Sequence, residues 1–161
     1  MATNDTAANA CPVCQDALEG PVQDNRYRDV TIIRCANCGT HRFTMEAIED
    51  LPGIARNAAG RARIAYGVHK VPERDVITSE LVEDLARVTQ LPGAIERLDN
   101  LVIYMANTFA PGARRLLDPT TLRATLGTAD KQEAHWVIDE AIKLGLLDVP
   151  NNTSGFERQV G

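Results

Sequence analysis

The sequence predicts a mainly α-helical fold with a small β component: a short N-terminal ribbon anchored by cysteines, then a larger helical body. Three observations carry this. All four cysteines fall in two C-x2-C pairs, Cys11-Pro12-Val13-Cys14 and Cys35-Ala36-Asn37-Cys38, with twenty residues between them. A β-branched, period-two stretch leads directly into Cys35, which is how a half-buried strand reads. From Thr44 onward, apolar residues recur at helical spacing and are punctuated by Pro and Gly.

The cysteine pairs are the strongest chemical signal. Two short turns of this kind present four thiolates tetrahedrally, as in a structural Zn²⁺ site with Cys11, Cys14, Cys35 and Cys38 as ligands. Four thiolates complete the shell and leave no position for a reactive water. Two disulfides are the competing reading, and they require an oxidising compartment. A redox C-x-x-C is a further one, but that motif comes singly and inside a βαβ pattern. The thiolate reading fits a reducing, cytoplasmic setting. His41, three residues after Cys38, is superfluous as a ligand and is expected to be a half-exposed strand residue.

Composition bounds the rest. The chain has 161 residues, 44% hydrophobic but only 4% aromatic, enough for an aliphatic core. A net charge of −5 excludes a uniformly basic nucleic-acid coat. Only 51–75 is locally basic, with five Lys/Arg against two Asp/Glu. Residues 1–10 are polar, lack the basic and apolar regions of a signal peptide, and read as a disordered lead-in. The longest apolar run, Leu101 to Ala106, is too short to span a bilayer, so no membrane is expected as a partner.

Taken in order, residues 11–50 read as a zinc ribbon: Cys turn, strand to Arg34, Cys turn, and a returning strand from Thr40 to Phe43. Gly39 is placed to supply a positive φ. Residues 51–92 read as connecting helices. Thr44 caps a first helix that Leu51-Pro52-Gly53 should stop. A second should bury Ile54, Ala58, Ala62, Ala65 and Tyr66 and expose Arg56, Arg61 and Arg63. Thr78 caps a third. Residues 93–161 begin with the most apolar helix, built on Ile95, Leu98, Val102, Met105 and Phe109. Asp118-Pro119 should open a short helix ended by Gly127, and Asp130 with Glu133 should cap another. Leu98, Val102, Met105, Trp136, Val137, Ile138 and Ala141 are expected to be buried together. Strands are expected at Leu146 to Val149 and Phe156 to Val160.

Long helix, short helix, three-residue turn, helix and two-stranded ribbon is the order of a winged helix. In that arrangement Lys131 and Gln132 open the helix that reaches base edges. Arg114, Arg115, Arg123 and Arg158 would form a positive rim for phosphates. Nothing here reads as catalytic. The histidines are scattered, no Gly-rich phosphate loop follows a strand, and Asp139 and Glu140 point about 100° apart on their helix.

The Cys pattern, Ile77-Thr78-Ser79-Glu80, Leu91-Pro92, Arg97-Leu98-Asp99-Asn100-Leu101 and Gly145-Leu146-Leu147 resemble uncharacterised bacterial modules. These join a zinc ribbon to a helical body, some at the N-terminus of proteins assigned to anti-phage defence. The resemblance implies a sensing or scaffolding module, without naming a reaction. The expectation is a non-catalytic zinc-binding regulator that binds nucleic acid. The alternative is an adaptor that binds a partner protein.

Overall fold

A computed structural model describes residues 9–25, 29–113 and 115–148, and the backbone of a strand at 159–160. Arg114, Arg158 and most of the expected second ribbon strand lie outside the described residues. The fold is mainly α with a small β part. β1 (Gln23–Asn25), β2 (Val30–Cys35) and β3 (Gly39–Thr44) form an antiparallel meander, and β4 (Val76–Ile77) adds to β3 in parallel. α1 (Met45–Ile54), α2 (Ala58–His69) and α3 (Ser79–Val88) pack against this sheet. The chain continues through α4 (Ala94–Thr108), β5 (Arg115–Leu116), α5 (Arg123–Leu126) and α6 (Lys131–Lys143) to β6 (Gln159–Val160), which pairs antiparallel with β5. Among the described residues no helix is long and apolar enough to cross a membrane.

The helix starts follow local chemistry. Thr44, Thr78 and Asp130 accept hydrogen bonds from the backbone N–H groups of Ala47, Leu81 and Glu133, satisfying donors that the first turn leaves unpaired. Glu133 reaches back to the N–H of Ala129. Other boundaries differ from expectation. α1 runs through Pro52 and Gly53 to Ile54. Pro52 lies in its last turn, where it removes a single intrahelical donor. α2 therefore starts only at Ala58, capped by Asn57 Oδ1, which accepts from Gly60 N–H at 2.7 Å. Asp118 caps a turn through Thr120 N–H, and helical bonding begins five residues later, at Arg123. Leu146 to Asp148 is not a strand; β5 supplies the partner of β6 instead.

Two apolar clusters result. The first joins the cysteines, Ile33, Phe43, Leu51, Ile64, Val68, Ile77 and Val82, so segments 11–50 and 51–92 share one core. The second joins Leu101, Leu117, Leu122, Leu126, Val137, Ile138 and Ala141. Ala124 of α5 belongs to the first cluster, while Leu122 and Leu126 on either side belong to the second.

The expected burial of Val102 and Trp136 is wrong: they are 42% and 46% exposed, and Leu101 is the fully buried residue of α4. α4 carries apolar side chains nearly all round, so periodicity cannot choose its inner face. Contact with α5 and α6 selects Leu98, Leu101 and Met105 and turns Ile95, Val102 and Ile103 outward. Leu101→Ala should therefore cost about 2–5 kcal/mol. Val102→Asp should cost under about 1 kcal/mol, as a surface change does. Denaturant melts of the two variants check the register.

Gly127 ends α5 at φ 68°, and a Cβ there would lie 2.5 Å from Pro92 Cγ and 3.2 Å from Tyr66 Cδ2. Gly127→Ala should cost about 3 kcal/mol from combined strain and overpacking. Gly53→Ala, in the last turn of α1 with nothing within 4 Å of its Cβ, should be neutral or stabilising by up to ~1 kcal/mol. Thermal unfolding of both variants tests this contrast.

Candidate metal centre

Each cysteine turn is shaped by its own backbone. In the first, Cys11 N–H donates to Asp16 O at 2.7 Å and Gln15 N–H to Cys11 O at 2.8 Å. Gln15 takes φ 66°, a left-handed conformation that its residue type does not announce. In the second, Cys38 N–H points at Cys35 Sγ, and Gly39 has the expected positive φ, 96°, where β2 and β3 close on each other. The β2–β3 hairpin fixes Cys35 and Cys38, and a bridge between Ala10 and Ala17 closes the base of the first turn.

The four Sγ atoms all lie within 4.8 Å of one another, and none is in a disulfide. Cys11 and Cys38 are 3.9 Å apart, and Cys14 and Cys35 3.5 Å apart. The edge of a tetrahedron with ~2.3 Å metal–sulfur bonds is about 3.8 Å. The quartet could therefore hold a single metal ion. Cys11, Cys35 and Cys38 are buried and Cys14 is partly exposed. Crowding pulls their ionisation apart. Cys14 is lowered to about 6 and Cys35 is also lowered, each chiefly by a hydrogen bond with Cys11. Cys11 and Cys38 are raised, chiefly by hydrogen bonds with Cys14 and Cys11 respectively. Four thiolates this close repel one another, and a bound dication would remove that obstacle.

His41 is buried, not half-exposed as expected, because it shares the inward side of β3 with Phe43, which enters the first core. Burial lowers its pKa and favours the neutral ring. Its Nε2–H donates to the Cys38 carbonyl at 2.8 Å, which leaves Nδ1 buried without a partner among the described residues. His69, partly buried on α2, meets the Thr125 hydroxyl through Nε2 at 3.2 Å. His41 thus braces the second cysteine turn, and neither histidine joins the sulfur quartet.

Two further residues went unnoticed in the sequence. Asn37, inside the second C-x2-C, is buried and accepts from Ala124 N–H at 2.8 Å through Oδ1. Asp16, two residues past Cys14, forms an ion pair with Arg123. A polar residue in a turn has no periodicity, so neither carried a signal.

Arg123 is thus not the free cation expected of a phosphate rim. Its side chain is 17% exposed and is held by Asp16 and by the Thr120 carbonyl. Arg115 is exposed on β5, with its guanidinium 5.9 Å from the centre of the Phe109 ring. Lys131 and Gln132 are exposed in the first turn of α6. Of the basic residues near the ribbon, Arg61 lines a polar cleft of about 140 Å³ beside Cys14, together with Asn37 and Arg123. Comparison of the chain with protein-family models, curated proteins and solved structures found no match.

Replacing Cys35 by Ser should destroy tetrathiolate binding and cost several kcal/mol of stability, because ion binding and folding are one event in so small a ribbon. Metal content per chain and thermal unfolding check this. A variant that keeps a full complement of metal and melts unchanged would exclude Cys35 as a ligand.

Proposed function

We propose that this chain is a zinc-binding, non-catalytic module. Its ion is structural, and its C-terminal half is a winged helix that serves as a contact surface for a partner protein. Four sulfur donors at tetrahedral spacing favour a soft ion that tolerates that geometry, and Zn²⁺ suits it best in a reducing setting. The complete thiolate shell leaves the ion no open position for chemistry. A zinc tetrathiolate carries a formal charge of −2, and Arg61 and Arg123 line the cleft on its exposed side. The order α4–β5–α5–α6–β6, with β5 paired to β6, supports the winged-helix reading.

The observation that carries the choice of partner is the distribution of exposed apolar side chains. Eleven large hydrophobic residues are exposed among the described residues. Seven of them lie in the C-terminal half: Ile95, Val102, Ile103, Leu116, Trp136, Leu144 and Leu146. Their concentration in one half of the chain favours a protein contact over a phosphate grip. The outer side of α6 also places Asp139 and Glu140 beside Trp136, where a DNA-reading helix would meet phosphates.

Lys131 and Gln132, exposed where a recognition helix would meet bases, favour nucleic acid as the second reading. Affinity purification from the native host, with bound nucleic acid retained, separates the two. The protein reading expects a partner that wild type enriches and that a Val102→Asp, Ile103→Asp double variant loses. If nucleic acid is retained instead, and Lys131→Glu abolishes that binding at ~50 mM salt, the second reading takes its place.

A further inference from the structure

We infer that the metal centre and the C-terminal half are coupled through α5, so that loss of the ion releases this helix and loosens the packing of α6. The inference rests on the quartet binding a metal. It concerns α5, which has only four residues and cannot hold its own conformation. What holds it comes from two sides.

On one side, three consecutive residues of α5 are tied to the cysteine turns and to α2. Arg123 pairs with Asp16 beside the first turn, Ala124 N–H donates to Asn37 inside the second, and Thr125 meets His69 of α2. Ala124 is 1% exposed, so its N–H has no water to turn to if Asn37 moves away. On the other side, Leu122 and Leu126 enter the second cluster with Val137, Ile138 and Ala141 of α6. The positions of Asp16 and Asn37 are in turn set by turns whose ends are the sulfur ligands. Without an ion, nothing bridges the two turns, and two of the three ties lose their anchor together. The coupling is reciprocal: whatever loosens α5 must weaken metal binding by the same factor.

Asn37→Ala in the full chain tests this, because it removes one tie and leaves every sulfur in place. Zn²⁺ affinity is read by competition with a chelator, the ligand set by the thiolate-to-metal absorption of the Co²⁺ form, and α5 by amide hydrogen exchange. The expected result is an intact Co²⁺ thiolate band, Zn²⁺ held at least ~10-fold more weakly, and amides of 124–126 exchanging at least ~10-fold faster. Zn²⁺ affinity within twofold of wild type, or faster exchange with no loss of affinity, would overturn the coupling. Arg123→Met reads the other turn by the same measurements, and decides the question if Asn37→Ala does not fold. A wild-type chain that binds neither Co²⁺ nor Zn²⁺ would instead refute the metal reading itself.

Discussion

Two turns of chain, twenty residues apart in sequence, place four sulfur atoms within 4.8 Å of one another, and much of the structure rests on that convergence. Sulfur atoms that close are mutually repulsive as thiolates and contribute little as thiols, so the arrangement makes physical sense with a cation at its centre. The sheet supports it from below through the β2–β3 hairpin. Apolar side chains of α1, α2 and α3 cover it, so the metal site lies within the first core and not on an appended finger. A ribbon this small has too little apolar surface to fold alone. Here three helices add to its core, and an ion held by the four sulfurs would stabilise it further.

The link from that core to the C-terminal half is polar as well as apolar. Asp16 and Asn37 reach α5 from the two cysteine turns, and Tyr66 of α2 accepts from Asn100 of α4 while donating to Glu96. Lys70 lies 3.8 Å from the centre of the Tyr66 ring, which adds a cation–π contact to the same junction. The arginine most exposed to suspicion as a phosphate contact, Arg123, is absorbed by this link. Among its described residues the C-terminal half leaves seven large apolar side chains exposed, Trp136 among them. A net charge of −5 and these side chains are what the proposed protein contact rests on.

Local chemistry was legible in the sequence, and long-range chemistry was not. The cysteine quartet, the caps Thr44, Thr78 and Asp130, the positive φ of Gly39 and the helix stop at Gly127 each depend on a few neighbouring residues, so spacing and residue type disclose them. The inner face of α4 was not legible. Its apolar residues surround the helix, and only the positions of α5 and α6 decide between Leu101 and Val102. The ties to α5 were hidden for a different reason. Asp16 and Arg123 are 107 residues apart and Asn37 and Ala124 are 87 apart, and a single sequence holds no trace of such pairings. His41 is a middle case. Its place three residues after Cys38 was plain, but its burial and its hydrogen bond to the Cys38 carbonyl required the strand to be in place.

The most direct test of this account follows the melting of α6 through Trp136, the one tryptophan of the chain, before and after the metal is withdrawn by a chelator. The account predicts a single cooperative transition in the loaded protein. Withdrawal should abolish that transition or lower it sharply at Trp136 although no ligand lies on α6, and added Zn²⁺ should restore it. A Trp136 transition that keeps its midpoint in the metal-free chain would contradict the claim that the C-terminal half depends on the cysteine centre.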